Sequence, residues 1–109
     1  MEKKSLKSIE QLESLLAEKK PFLITANSSK GAFYKQLDWD NEWNDEASEM
    51  CSKELNCRLF DFINLEHCTI ICDENGYNKR LEINDFATYM VKGSPIVGNV
   101  IVAFPKQAA

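Results

Sequence analysis

The chain has 109 residues, of which 44% are hydrophobic and 28% charged, and its formal net charge is −4. This length and composition fit one globular domain over residues 1–109 with its own hydrophobic core, and they exclude a disordered or fibrous chain. No apolar run approaches the ~20 residues of a membrane-spanning helix. The N-terminus lacks the apolar stretch of a secretory signal, so we expect a cytoplasmic protein. The net negative charge argues against direct binding of nucleic acid, which depends on Lys and Arg.

The N-terminal part of the chain predicts one helix and two strands. Residues 1–7 are charged and aperiodic, so we expect a frayed terminus there. Ser8 and Gln11 have the spacing of a helix-capping box, and leucines follow at helical intervals. Pro21 disfavours continuation of that helix. The predicted elements are a helix from residue 8 to residues 19–20, a buried strand over residues 22–26, a turn over residues 27–31 and a strand over residues 32–39.

Residues 38–55 combine the clearest helical periodicity in the chain with a local excess of negative charge. They hold seven acids and one base, a balance of −6, whereas the whole chain carries −4. With Asp40 or Asn41 as N-cap, a helix here would bury one face and expose an acidic one. The predicted core face consists of Trp43, Ala47, Met50, Cys51 and Leu55. The predicted acidic, partner-binding residues are Asp38, Asp40, Glu42, Asp45, Glu46 and Glu49.

The C-terminal half predicts further strands and one short helix. Residues 57–65 are rich in strand formers, although part of this run also fits a helix. A β-hairpin is predicted from residues 68–72, through a turn at residues 73–76, to residues 77–83. Asn84 is the predicted cap of a short helix over residues 85–91 that points Phe86, Ala87 and Met90 inward. Residues 96–104 are so apolar that they predict a strand inside the sheet.

Together these elements predict an α+β fold. We expect one mixed or antiparallel sheet of about four to six strands, with two main helices and one short helix packed on it. The sequence leaves open the strand order, the oligomeric state and whether residues 1–37 join the core sheet.

The four cysteines and the single histidine supply enough soft ligands for zinc, but their arrangement does not favour a metal site. Structural zinc sites use closely spaced cysteine pairs in tight turns, whereas Cys51 lies on a predicted helix face and Cys68 and Cys72 on one face of a predicted strand. We therefore expect reduced core thiols, with no metal and no cofactor.

His67 and Cys68 should point to opposite faces of a strand, so they do not form a nucleophilic pair. We predict no catalytic residues and expect a protein that is not an enzyme.

Four short runs in the C-terminal half form a recognisable succession. They are I-I-C-D-E-N-G over residues 70–76, L-E-I-N over residues 81–84, A-T at residues 87–88 and I-V-G-N-V-I-V over residues 96–102. Over about residues 46–104 this succession resembles a family of small phage and plasmid proteins known as domain of unknown function 3846. Glu82 stands where the pattern of that family has proline. The resemblance implies a mobile-element origin and an α+β fold, and it implies no activity and no catalytic residues.

The acidic residues are the main functional candidates, although most charged helix faces are simply solvated. Acids at neighbouring helical positions repel one another, and Trp39 and Trp43 could add aromatic anchors for a partner.

Our leading hypothesis is a phage or mobile-element protein that binds and inhibits a host nucleic-acid enzyme through that enzyme's basic groove, as an anti-CRISPR or anti-restriction protein would. The alternative is an accessory protein–protein interaction domain without an inhibitory role, which would use the hairpin or an exposed sheet face bearing Phe60 and Phe62.

Overall fold

A computed structural model describes residues 2–105. Within this range the chain forms one antiparallel sheet of six strands and three α-helices, which confirms the predicted α+β fold. None of these helices has the length and apolarity needed to cross a membrane. In chain order the elements are β1 Lys4–Leu6, α1 Ile9–Glu18, β2 Phe22–Ile24, β3 Ala32–Gln36, α2 Asp45–Leu55, β4 Phe60–Asn64, β5 Thr69–Asp73, α3 Asp85–Val91 and β6 Val100–Ala103.

The strand order is β1-β3-β2-β6-β5-β4. The position of β6 inside the sheet confirms the prediction from its apolar sequence, and all its residues are buried. Strands from the N-terminal part of the chain form half of the sheet, and β2 pairs directly with β6. The N-terminal and C-terminal halves of the chain therefore share one sheet.

The predicted frayed terminus is wrong for residues 4–6, which form β1 and pair with β3. Leu6 pairs with Ala32 and is 3% exposed, because it enters the same apolar cluster as Leu12 of α1. Burial of this one leucine stabilises the fold by about 2 kcal/mol. A single apolar residue among charged neighbours forms no periodic pattern, so the sequence did not predict this strand. Met1 lies outside the described residues.

Both faces of the sheet are covered, because alternate side chains of each strand point in opposite directions. One face packs against α1 and α3, and its core includes Leu12, Leu15, Phe22, Ile24, Ile70, Ala87, Val100 and Val102. The other face packs against α2, and its core includes Leu23, Cys51, Leu55, Ile71, Ile101 and Ala103. Of the described helices, only α2, which carries part of the acidic segment, packs on this face of the sheet.

The predicted cap of α1 is confirmed in its main contact. Ser8 Oγ accepts a hydrogen bond from the N–H of Gln11 at 3.1 Å. The side chain of Gln11 in turn accepts a bond from the N–H of Lys7 at 2.8 Å, one residue before the position that a standard capping box would use. α1 ends at Glu18, and Lys19 takes a left-handed conformation before Pro21, as the stop signals predicted.

Asn84 caps α3 as predicted and also joins that helix to the sheet. Its Oδ1 accepts from the N–H of Ala87 at 3.1 Å, while its Nδ2 donates to the carbonyl oxygens of Ile24 at 3.1 Å and Gly98 at 3.0 Å. The side chain is fully buried, so these bonds compensate for its removal from water. The three side chains predicted to point inward from α3 are buried or partly buried against the core: Phe86, Ala87 and Met90.

The predicted hairpin with a second strand over residues 77–83 is wrong. Residues 77–80 form successive turns, with Arg80 at φ 56°, and beyond them Ile83 makes an isolated bridge to Val97. The turns bring Lys79 Nζ to 2.6 Å from the carboxylate of Asp73. The three consecutive polar residues at 78–80 lack the alternation of apolar and polar side chains that a strand needs. The chain therefore forms turns held by the Asp73–Lys79 ion pair and does not extend into a strand. In the C-terminal half the hairpin that forms joins β4 to β5.

Candidate functional site

Four aromatic side chains meet on the α2 side of the sheet, at the β4 edge. Trp43 stands edge-on to Phe60 and Phe62, with ring centroids 5.8 Å and 5.1 Å away, and Trp39 lies 6.3 Å from Trp43. Phe60 and Phe62 are also 6.3 Å apart. We call these four residues the aromatic cluster. Edge-to-face pairs of this kind contribute about 0.5–1.5 kcal/mol beyond the burial of area.

The outer part of the aromatic cluster is exposed to solvent. Trp43 is 45% exposed and Phe62 is 44% exposed, whereas Trp39 and Phe60 are partly buried against the core beside α2. The prediction that Trp43 belongs to the core is wrong, because α2 begins after it and Trp43 is not part of the helical stripe. The other members of that predicted stripe are buried or partly buried, as expected: Ala47, Met50, Cys51 and Leu55.

The loop that carries Trp39 and Trp43 is fixed by its own hydrogen bonds. Asp40 Oδ1 accepts from the N–H of Glu42 at 3.0 Å, and Trp39 Nε1 donates to the carbonyl oxygen of Glu42 at 2.8 Å. Asn41 has φ 68°, and its Oδ1 accepts from the N–H of Phe104 at 2.9 Å. The loop is thus anchored just after β6.

These bonds explain why α2 begins later than predicted. The expected N-caps, Asp40 and Asn41, use their side chains within the loop or on the chain after β6. Asn44 is the cap instead, and its Oδ1 accepts from the N–H of Ala47 at 2.8 Å. The sequence does not distinguish Asn44 from the two earlier candidates, because all three are residue types that cap helices.

All six predicted partner-binding acids are exposed, but they do not share one helix face. Asp38, Asp40 and Glu42 lie in the loop before α2, and Asp45, Glu46 and Glu49 lie on α2. The predicted single acidic face is therefore corrected to an acidic surface that spans a loop and a helix. We call these six residues the acidic surface.

Part of the charge in this segment has a structural explanation. Asp45 and Glu46 lie in the first turn of α2, where the helix dipole favours negative charge. Glu54 lies on α2 outside the acidic surface and forms an ion pair with Lys35 of β3, with an oxygen 2.5 Å from Nζ. The repulsion expected between neighbouring acids is thus partly offset within the fold.

Two clefts share Trp39 as a wall, and they join the acidic surface to the aromatic cluster. One cleft, of about 340 Å³, is lined by Trp39 together with Asp38, Asp40 and Glu46. The other, of about 370 Å³, is lined by Trp39, Trp43 and Phe62 together with Phe104 and Pro105. A partner that approaches this region would therefore meet aromatic and acidic groups together.

The cysteines are core residues, as predicted. All four are unpaired and buried, and burial raises the pKa of the Cys51 and Cys72 thiols to about 11. Within residues 2–105 no three His, Cys, Asp or Glu side chains are grouped so that they could hold a metal ion.

His67 lies exposed in the turn between β4 and β5, with its Nε2 3.7 Å from Oε1 of Glu66. This agrees with its predicted place in a loop or at a strand end.

A second polar region surrounds the Asp73–Lys79 pair, which no sequence pattern predicts. Asp73 is buried and also accepts from the N–H of Asn75 at 2.9 Å, while Lys79 remains partly exposed. The side chains beside this pair line a cleft of about 380 Å³: Ser52, Asn56, Cys57, Arg58, Leu59 and Asn75. Asp73 and Lys79 are satisfied by each other, and the pair fixes the turns that follow β5.

The chain matches no family model, no curated protein and no solved structure. The resemblance over residues 46–104 to a phage and plasmid family therefore stays a prediction.

Proposed function

We propose that this protein is a non-enzymatic binding protein that docks on a basic partner through the aromatic cluster and the acidic surface. The observation that carries this proposal is the position of Trp39. Its side chain lines both the cleft beside Asp38, Asp40 and Glu46 and the cleft beside Trp43 and Phe62. Exposed aromatic residues surrounded by polar groups are typical of binding sites, where Trp supplies much of the affinity.

The charge of the surface supports the choice of a basic partner. The acidic surface carries six carboxylates, all exposed to solvent. A positively charged partner would be attracted over long range, and its association would be fast and sensitive to salt. Lys and Arg are concentrated in the grooves with which nucleic-acid enzymes hold phosphates.

The concrete form of the proposal is inhibition of a host nucleic-acid enzyme, with the acidic surface occupying its basic groove. A mobile-element protein with an anti-CRISPR or anti-restriction role would act in this way, and the resemblance of residues 46–104 supports that context. The partner would be a host protein, with no direct contact between this chain and nucleic acid.

An accessory interaction domain without inhibitory action is the second candidate. It is favoured by the exposure of Phe62 on β4, since an exposed sheet edge or face is the surface such a domain would use. Because Phe60 and Phe62 contact Trp43, the two candidates share one surface and differ in the partner and in the consequence of binding.

The test is capture of partners from a bacterial lysate at low and at high salt, followed by binding and inhibition assays with the purified partner. We expect a basic nucleic-acid enzyme that salt releases, and we expect Trp43→Ala with Phe62→Ala to abolish its capture. The matched control is Tyr89→Ala on α3, which removes a similarly exposed aromatic residue from the other side of the sheet.

Unchanged capture by the Trp43 and Phe62 variant would contradict the proposed surface. A captured partner that is neutral, or an enzyme that is bound without loss of its activity, would favour the accessory domain over the inhibitor.

A further inference from the structure

Strand β4 forms an edge of the sheet, and its outer side has no strand partner within residues 2–105. It pairs with β5 in an unbroken antiparallel register from Phe60 opposite Asp73 to Asn64 opposite Thr69. The same register continues beyond the strand, where the N–H of Glu74 donates to the carbonyl of Leu59 at 3.1 Å. β4 is thus a regular strand with one open edge.

The direction of the backbone groups of β4 follows from that register. Hydrogen-bonded pairs alternate with non-bonded pairs in an antiparallel ladder. Because Leu59 and Leu65 bond to the β5 side, the residues two apart from them, Asp61 and Ile63, also do so. The N–H and C=O groups of Phe60, Phe62 and Asn64 therefore point to the open edge.

The two edges of the sheet differ in their protection against strand pairing. β1 at the far edge has only three residues, includes Lys4 and is flanked by Lys3 and Lys7. Short length and lysine residues both discourage another strand from pairing with an edge. β4 has five residues, no bulge, no lysine and no proline. Its charged residue is Asp61, which repels acidic strands and attracts basic ones.

We propose that β4 receives an extended segment of the basic partner as an added strand. This inference rests on the proposed function and states how the partner is held. The backbone of the segment would bond to the outward groups of Phe60, Phe62 and Asn64, as in other cases of strand addition. Its alternate side chains would contact the aromatic cluster on one face and Asp61 on the other.

This geometry defines the chemistry of the segment. Residues on the face of Phe60 and Phe62 should be apolar or aromatic, because those rings line that face. Residues on the opposite face should be Lys or Arg, because exposed Asp61 lies there. A second copy of this chain fits poorly, since pairing two β4 strands would bring together two molecules that each carry a net charge of −4 and an acidic surface.

The test uses a capped peptide of alternating lysine and valine, about ten residues long so that it spans the strand. Backbone amide hydrogen exchange is followed by NMR with and without the peptide. We expect slower exchange at Phe60, Phe62 and Asn64, with little change at Asp61 and Ile63, whose amides already bond to β5. An alternating glutamate and valine peptide is the control and should not bind.

A matched pair of variants tests the backbone contact. Asn64→Pro removes an outward N–H, at an edge position where proline is tolerated, while Asn64→Ala keeps it. We expect the first to weaken peptide binding about tenfold or more and the second to change it less than about twofold, because proline removes one hydrogen bond and its ring obstructs the incoming strand. Should Asn64→Pro fail to fold, the exchange pattern of the wild-type protein decides the question.

The outcomes separate this inference from the proposed function. Equal binding by Asn64→Pro and Asn64→Ala, or protection that does not alternate along β4, would overturn strand addition. If the Trp43 and Phe62 variant still lost the partner in that case, the proposed surface would stand. Self-association through β4, seen by sedimentation and abolished by Asn64→Pro, would also overturn the inference because the occupant would be a second copy.

Discussion

Trp43 and Phe62 meet edge to face, with their ring centroids 5.1 Å apart and their planes at 88°, although nearly half of each residue is exposed. Through this contact the loop before α2 rests on the edge strand of the sheet. The acidic residues of the loop and the open edge of β4 therefore belong to one surface.

Replacement of Trp43 by alanine should lower the free energy of unfolding by only about 1 kcal/mol. The indole is half exposed, and the substitution removes mainly its packing against the rings of Phe60, Phe62 and Trp39. A buried aromatic residue would cost about 3–5 kcal/mol. Urea unfolding measures the difference, and a loss in that larger range would mean that Trp43 serves the core more than the surface.

Neutralisation of Asp45, Glu46 and Glu49 together should weaken binding of the basic partner about tenfold, mainly through slower association at low salt. The variant is Asp45→Asn, Glu46→Gln and Glu49→Gln. These acids are exposed on α2, so the fold should be retained with a small loss from the helix dipole. Stopped-flow association at several salt concentrations provides the measurement.

The matched control for this charge change is the triple variant Glu2→Gln, Glu10→Gln and Glu13→Gln. It removes the same number of exposed carboxylates, and Glu10 lies in the first turn of α1 as Asp45 does in α2. Association should stay at the wild-type rate. Equal slowing by both variants would show that net charge, and not the acidic surface, attracts the partner.

Replacement of Asn84 by alanine should cost about 3 kcal/mol of unfolding free energy. The change removes the cap of α3 and the two hydrogen bonds that the buried amide donates to the carbonyls of Ile24 and Gly98. Asn44 is an exposed N-cap, so Asn44→Ala is a suitable comparison and should cost only about 1 kcal/mol. Chemical denaturation of both variants would reveal whether burial makes the difference, and equal losses would contradict it.

Alkaline pH should destabilise the fold through its buried thiols. Burial raises the pKa of Cys51 and Cys72 from 9.0 to about 11, so the folded state retains two protons that the unfolded state releases. The stabilisation is fully present below pH 9 and is lost as the pH rises to 11. At pH 10 each thiol should account for a loss of about 1 kcal/mol.

The variant that tests this linkage is Cys51→Ala with Cys72→Ala, compared with the wild-type protein under reducing conditions. Between pH 7.5 and pH 10 its unfolding free energy should fall less than that of the wild type. The same fall in both proteins would assign the alkaline effect to other groups.

Replacement of Lys79 by methionine should cost about 2 kcal/mol, because it leaves the buried carboxylate of Asp73 without its counter-charge. Asp73→Asn should cost less, since the amide oxygen can still accept from the N–H of Asn75. The double variant should be more stable than Lys79→Met alone. A double-mutant cycle by thermal unfolding measures the coupling, and a cycle without coupling would contradict the pair's role in fixing residues 74–80.

The parts of the fold that could be predicted from sequence are those governed by local patterns. The leucine stripe behind Ser8 and the cap at Asn84 specify α1 and α3, because capping and periodicity act over one or two helical turns. The apolar run that contains β6 could only be stable inside the sheet. Cys51 was correctly assigned to the core because its helical position relative to Ala47 and Leu55 is independent of where α2 begins.

The candidate surface depended on contacts between residues far apart in the sequence. Asn41 bonds to Phe104, which delays the start of α2, places Trp43 in the loop and divides the acids between that loop and the helix. Trp43 could then reach Phe60 and Phe62 on β4. Neither relationship leaves a periodic signal, since each depends on which strands are neighbours.

Composition and periodicity are enough to predict an α+β fold with an acidic segment, because they report on burial along each element. The position of this segment beside an open strand edge, and the exposure of its tryptophan, follow from contacts between distant parts of the chain. The order of the strands sets both features, and it is fixed by the packing of the two sheet faces on their helices rather than by any local pattern.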